Sequence, residues 1–445
     1  MTNTVLEDNH TTMFRLKEFL SMNTIKIEDV DNEVSVRMCR RLLSIFSNVT
    51  DPRQKLKITY QLKDLLLMEF LACVGGADSG EDVEDFWSWH PKLYKRLFKY
   101  ESVPSHDTFD RIMGIIPSSD LNKMLTDTLL ESDRSLRKAL RVPDPVRKHL
   151  SVDGKRIRGT GRTNTMNGPV KDLQILNVYD NTTDTCLFSE RIEDKTNEIP
   201  HAQSILSQME LKNTLVTFDA LHTQKETINI IAKKRGDYIG GLKGNQPSLN
   251  EYAANIFNTE KLAKLEISKD DYACSKEIAH GQLEIRQFYQ ERLTPKQCKT
   301  DFAGWAKVQS LVCYVKTCTN NNTGKTTKET RYYISSMNDI AEIAIGIREH
   351  WGVENRLHNG LDTLMMEDQM RLANKNAALN RSIINKMCLS LYRKIQEVKN
   401  LKGIRSKRRI RKCIGWAYEE EMKQALVLLD PLALRRCLVI EPKTK

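Results

Sequence analysis

Three acidic residues stand where their chemistry can be used. Asp153 lies in SVDGKRIRG, residues 151–159. Asp219 ends the apolar run of LVTFDALHTQ, residues 215–224. Glu354 lies in IREHWGVENRLHNGLD, residues 347–362. Carboxylates supply the oxygen donors that hard cations prefer, and Mg²⁺ keeps several waters beside one or two of them. Two such ions roughly 3.5–4 Å apart activate an attacking hydroxyl and stabilise the leaving oxygen, which suits in-line displacement at phosphorus. By residue type alone, an Asp at a strand end also makes a turn, and a helical Glu also faces solvent. His350, Glu354 and His358 fall at i, i+4 and i+8 along one helix face. That spacing lacks the adjacent Glu of HExxH and brings no third zinc ligand. Histidines bonded to nearby polar groups or to DNA phosphate are the preferred reading, with Trp351 as packing.

Cations surround these acids. Lys155, Arg156, Arg158 and Arg162 follow Asp153 with no acid among them. Beside a metal site they suit phosphate positioning rather than base reading. Lys243 and Asn245 follow a further apolar run and offer either a phosphate contact or a plain polar strand end. Residues 393–412, RKIQEVKNLKGIRSKRRIRK, hold ten Lys or Arg against one Glu, with Arg405, Lys407, Arg408 and Arg409 at their centre. Such a run is a solvated face or, in a DNA-binding protein, a phosphate contact.

The hydrophobic pattern predicts the scaffold. Strands are expected over 149–157, 170–179 and 186–192, the last two joined by the polar turn 180–183. A helix over 199–209, a strand over 215–218, a helix over 224–234, a strand over 238–242 and a helix over 246–257 follow. An antiparallel start followed by alternating helix and strand implies a mixed five-stranded sheet covered by helices. It would set Asp153 and Asp219 on adjacent parallel strands, with Glu354 on a helix over 340–359. Segments 282–289, 309–315 and 331–335 carry β-type composition, so 262–336 reads as a β-rich insertion. Before Pro143-Asp144-Pro145 the pattern is helical, with helices over 56–71, 82–89 and 106–116. Another helix covers 373–398. The expected division is a helical domain, 1–145, a catalytic domain, 146–400, and a basic tail with a helix, 401–445.

Bulk properties exclude several classes. With 445 residues, 40% hydrophobic and 29% charged, wholesale disorder is excluded. No run approaches the ~20 apolar residues of a membrane span, and the N-terminus lacks the charged and apolar regions of a secretory leader. The ten cysteines are scattered without a CxxC pair, which suits a reduced cytosolic setting. The net charge of +11 points to a polyanionic partner. Most of it sits in 393–412, so the rest of the chain is near neutral.

Taken in order, these motifs resemble the H-repeat-associated (ISAs-type) transposases of bacterial insertion sequences, in the DDE superfamily. The likeness runs through DPRQKLKITYQL (51–62), VPSHDTFDRI (103–112), SVDGKRIRG, KTNEIP (195–200), VTFDALHTQ, GDYIGGLKGNQ (236–246) and REHWGVENRLH (348–358), then Glu367-Asp368. It implies an RNase H-like catalytic core with a β-rich insertion and an N-terminal helical transposase-associated domain. Asp153, Asp219 and Glu354 match the catalytic triad, which holds two Mg²⁺ ions, with Mn²⁺ as a substitute. The implied activity is cleavage and strand transfer at the element's ends, on double-stranded DNA, by a homodimer in the bacterial cytoplasm beside the nucleoid. The superfamily's Tyr, Arg, Glu and Lys series is altered: Ile347, His350 and Leu361 stand at the other three positions, and Asn359 replaces a Trp usual in this branch. DNA contact is implied at Arg348 and His350. The rival functions are a plain metal-dependent nuclease and a catalytically silent, DNA-binding copy.

Overall fold

The computed structural model describes residues 23–28, 30, 32–163, 168–192, 198–258, 268–279, 281–399, 406–416 and 418–442. In chain order, β1 (Asn23–Ile27) precedes the helices α1 (Asn32–Phe46), α2 (Leu62–Gly75), α3 (Gly80–Trp89), α4 (Pro91–Leu97), α5 (His106–Ile115) and α6 (Ser118–Ala139). Then come β2 (Lys148–Ile157), β3 (Leu173–Asp180), β4 (Thr185–Ile192), α7 (Glu198–Gln208), β5 (Thr214–Phe218), α8 (Lys225–Lys233), β6 (Asp237–Leu242) and α9 (Pro247–Ile256). A second β-rich stretch holds β7 (Tyr272–Ala279), β8 (Gln282–Arg292), α10 (Pro295–Lys299), β9 (Ser310–Asn320) and β10 (Thr326–Ser335). It is followed by α11 (Ile340–Gly352), a π-helical turn (Val353–His358), α12 (Asn359–Thr363), α13 (Lys375–Val398), α14 (Lys407–Trp416), α15 (Tyr418–Val427), α16 (Pro431–Cys437) and β11 (Leu438–Pro442).

The mixed sheet has nine strands in the order β4-β3-β2-β5-β6-β10-β9-β8-β7. Parallel pairs β2–β5 and β5–β6 form its centre, and β3–β4 is the expected antiparallel hairpin. The β-rich insertion brings the expected five-stranded core to nine strands. The insertion strands extend the same sheet, because β6 offers an open edge of unpaired backbone groups and β10 takes it, Tyr332 opposite Leu242 through Ser335 opposite Ile239. The sequence reading missed β7, whose outer residues Lys276, Glu277 and Ile278 are exposed at the sheet's edge and carry no apolar alternation.

Two compact units share the chain: Val146–Asp153 with Thr196–Val353, and, among the described residues, 23–145 with Gly154–Lys195 and Glu354–Lys445. In the first unit, α11 lies on the sheet through Ile340, Ile343, Ala344 and Ile347 against Leu215, Ile239, Val312 and Tyr333. Gly346 allows that approach; a Cβ there would stand 2.6 Å from Ile239 Cδ1.

The second unit is built around α13, which is buried over most of its length. Its buried cations have internal partners: Arg381 with Glu69 at 2.7 Å, Lys386 with Ser189, and Lys394 with Asp133. The expected helix over 56–71 begins only at Leu62. Before it, Tyr60 bonds Ser102, and the Gln61 amide bonds Tyr100, which holds this stretch extended. The ten cysteines are free thiols. No described helix is long and apolar enough to cross a membrane.

Candidate active site

The parallel register of β2 and β5 sets Val152 opposite Phe218. Asp153, midway along β2, and Asp219, just past the end of β5, are the next residues out from that pair. Asp153 is half-buried and Asp219 exposed. Asp219 is held by its own turn, its Oδ1 accepting from the Leu221 amide at 2.9 Å and the His222 amide at 3.3 Å. Thr223 Oγ1 braces the turn by donating to the Gly241 carbonyl at 2.7 Å, and the Asn245 side chain donates to the Ala220 carbonyl. The carboxylate is therefore aimed before anything binds.

Behind Asp219, three polar side chains converge on Thr217: His149 Nε2 at 2.9 Å, Ser151 Oγ at 3.1 Å and His350 Nδ1 at 3.1 Å. His350 thus anchors the last turn of α11 to β5. Burial pushes its pKa down to about 4, outweighing the pull of Asp219, while His222 and Arg331 reinforce the fall. The ring is neutral at neutral pH, so it serves as a hydrogen-bonding anchor rather than a phosphate cation.

Glu354 is exposed and stands one turn beyond His350 in sequence, at the start of the π-helical turn. The expected unbroken helix over 340–359 is interrupted there. The wider i→i+5 turn breaks the 3.6-residue spacing that would align His350, Glu354 and His358. His358 Nε2 instead lies 3.2 Å from Asn177 Nδ2 on β3. Burial, then Lys155 and Lys386, push its pKa down to about 3. Arg356 pairs with Asp184 at 3.3 Å and donates to Asn181 at 2.8 Å.

These two histidines make stability pH-dependent. The unfolded rings titrate near 6.5, so as pH falls the unfolded chain takes up protons first. Their contribution is full above pH ~6.5 and is lost progressively toward about 4 for His350 and about 3 for His358. Below pH ~6.5 each should cost about 1.4 kcal/mol per pH unit. Denaturant titrations at pH ~7 and ~5 check this; equal stability at both would reject neutral buried rings.

The expected cations occupy varied settings. Lys155 is buried, with its ammonium ion-paired to Asp362. Arg156 is exposed and forked onto Asp172. Arg158 is exposed, 3.7 Å from Asp368, and Arg162 donates to the Arg371 carbonyl. Lys243 is exposed after β6, and Arg348 is exposed, 3.8 Å from Glu277. Lys407 is half-buried, Arg408 and Arg409 are exposed, and Arg405 lies outside the described residues. The basic run 393–412 is not one solvated face. Arg393, Lys394 and Arg411 are buried and bonded to Tyr179, Asp133 and Asp78.

Second-unit residues 158–159 and 367–370 touch without spare room. A Cβ on Gly159 would stand 2.6 Å from the Asp368 carbonyl oxygen and 2.7 Å from that of Met370. Both are backbone atoms, so neither can swing away. Gly159→Ala should cost about 1–3 kcal/mol; an unchanged denaturation midpoint would show that the two segments part easily.

Several residues escaped the sequence reading. Thr217 signals itself as a polar side chain within an apolar strand. His222, buried and 3.1 Å from Glu198, lies in one quoted motif, and Glu198 in another. Asp362 and Lys386 carried no local signal. Among the described residues no group of three or more His, Cys, Asp or Glu stands assembled for a metal ion. The donor chemistry of the single acids fits Mg²⁺, since carboxylates, that of Asp219 already aimed by its turn, are the oxygen ligands that hard cations take.

The Transposase DDE domain family matches residues 144–391, and the DDE_Tnp_1-associated family matches residues 43–128. "Putative transposase YncI" of Escherichia coli O157:H7 is 30% identical over 86% of this chain and 94% of its own length. "H repeat-associated putative transposase YhhI" of Escherichia coli strain K12 is 29% identical over 76% of this chain and 86% of its own. Among solved structures, a piggyBac transposase synaptic complex with hairpin DNA aligns over 96% of this chain and 82% of that chain, with 13% identity and a TM-score of 0.36.

Proposed function

Because this chain belongs to the Transposase DDE domain family, we propose that it cleaves and joins DNA at the ends of a bacterial insertion sequence, with Asp153, Asp219 and Glu354 as its catalytic carboxylates. The observation that carries this reading is that Asp153 and Asp219 each directly follow the last paired residues, Val152 and Phe218, of the adjacent parallel strands β2 and β5. Divalent ions held by the three acids, Mg²⁺ or Mn²⁺, would activate the attacking oxygen and stabilise the leaving one. The chain's own part is positioning. The Asp219 turn fixes one carboxylate. Thr217 and His350 tie the end of α11, which leads into Glu354, to the strand that bears Asp219. Exposed Arg158, Lys243, Arg348, Arg408 and Arg409 are available to hold phosphodiester oxygens without reading bases.

The partners in this reading are the element's terminal repeats and a target duplex, engaged by a homodimer on paired ends beside the nucleoid. In this reading residues 43–128 serve as the associated helical region. The test offers a terminal-repeat duplex and a target plasmid with Mg²⁺. Joined product supports the proposal. Hydrolysis with no joining would reduce the protein to a nuclease, and salt-dependent binding without cleavage to a silent copy.

A further inference from the structure

The second unit contains a buried charge cluster that no step above uses. Lys155 lies two residues past Asp153 on β2, so both side chains leave the strand on one face. Its ammonium pairs with Asp362 on α12, eight residues past Glu354. The same ammonium lies 3.9 Å from Glu367 Oε2, a carboxylate with no exposure. Lys386 enters from α13 as a second buried cation and donates to Ser189 Oγ at 2.7 Å. Next to it, residues 158–159 sit against 367–370 with backbone touching backbone, and the Arg158 amide donates to Asp368 Oδ1 at 3.2 Å.

Burying such ions is costly before pairing, and apolar side chains of equal volume would stabilise the unit as well. An ion pair adds what an apolar contact lacks, which is a fixed separation between two elements. Here the elements are the later half of β2, Gly154–Ile157, and the helical segment that begins at Glu354.

We propose that the Lys155–Asp362 pair, backed by Glu367 and Lys386, is a positioning strut that fixes the helical segment bearing Glu354 against the half of β2 that follows Asp153. The proposal rests on the reading of these acids as the catalytic set. Lys155 is then a positioning residue and not a contact to DNA. It acts on the metal-holding carboxylates as the outer partners of a metal site act on its ligands.

The test uses the full chain with Lys155→Met, Asp362→Asn and the double variant. Three quantities are read: the Mg²⁺ dependence of single-turnover end cleavage, the Kd for end DNA, and the Mg²⁺-induced rise in Tm of the protein–DNA complex. Each single variant should raise the Mg²⁺ needed for half-maximal rate about 10- to 100-fold and shrink the Tm rise, with Kd unchanged within about twofold. The double should be no worse than the weaker single, because both act through one contact. A lowered metal-free Tm with wild-type Mg²⁺ dependence would overturn the strut. If Lys155→Met does not fold, Asp362→Asn carries the test, since that carboxylate is 32% exposed. If Asp153→Asn cleaves as wild type, the catalytic reading itself falls. If Asp153→Asn is inactive while both strut variants keep wild-type Mg²⁺ dependence, only the strut falls.

Discussion

Asp153→Asn and Asp219→Asn should each lower the single-turnover rate of end cleavage by roughly 10³-fold or more, the loss of about 4 kcal/mol of transition-state stabilisation. Asn keeps the size of the side chain, so folding should be spared. At position 219 it also keeps the oxygen that accepts from the Leu221 and His222 amides, so the turn survives the change. What is lost is the negative charge needed to hold a divalent ion. Joining of a pre-cleaved end to target DNA should fall in parallel if, as proposed, one site serves both displacements. DNA affinity in the absence of metal should hold or rise, since a carboxylate repels phosphate. Equal cleavage by wild type and either variant would reject the site.

The second large effect is on stability. Arg381 and Glu69 form a 2.7 Å pair that is wholly buried between α13 and α2, with Asp110 another 4.0 Å from the guanidinium. Burial raises the Glu69 carboxyl above its ordinary range, and Arg381 is the charge that opposes this. Arg381→Met removes that opposition and leaves the acid stranded, at a cost of about 3–5 kcal/mol. The shift of the urea midpoint at constant m-value measures it. Replacing both partners, Arg381→Met with Glu69→Leu, should recover most of the loss, because no unpaired charge then remains. A double variant as unstable as the single would mean that the pair acts through shape rather than charge. The exposed pair Lys123–Asp127 provides the contrast, since its removal should leave the midpoint in place.

Much of the central scaffold was legible in the sequence. The strands around Asp153 and Asp219 were expected within one or two residues of where they lie, apart from the start of β3. Short apolar runs bounded by polar turns leave little freedom over strand limits. Parallel neighbours followed from the crossover through α7. The insertion was readable as β-rich, but not as an extension of the same sheet. Which edge a strand joins depends on the partner edge left open, and that edge is more than 80 residues away in sequence, from Leu242 to Tyr332.

The candidate site divides in the same way. The amino-acid sequence by itself determined which acids are available, their order, and the family that this order marks. These follow from residue type and local spacing, which a linear string carries in full. Only the tertiary structure decided what each charge is for. Lys155, Arg393, Lys394 and Arg411 read as free cations beside DNA, yet each is buried against a distant partner, Asp362 lying 207 residues from Lys155. Charge is a property of one residue. Desolvation and pairing belong to a neighbourhood, and that neighbourhood is assembled only when the chain folds.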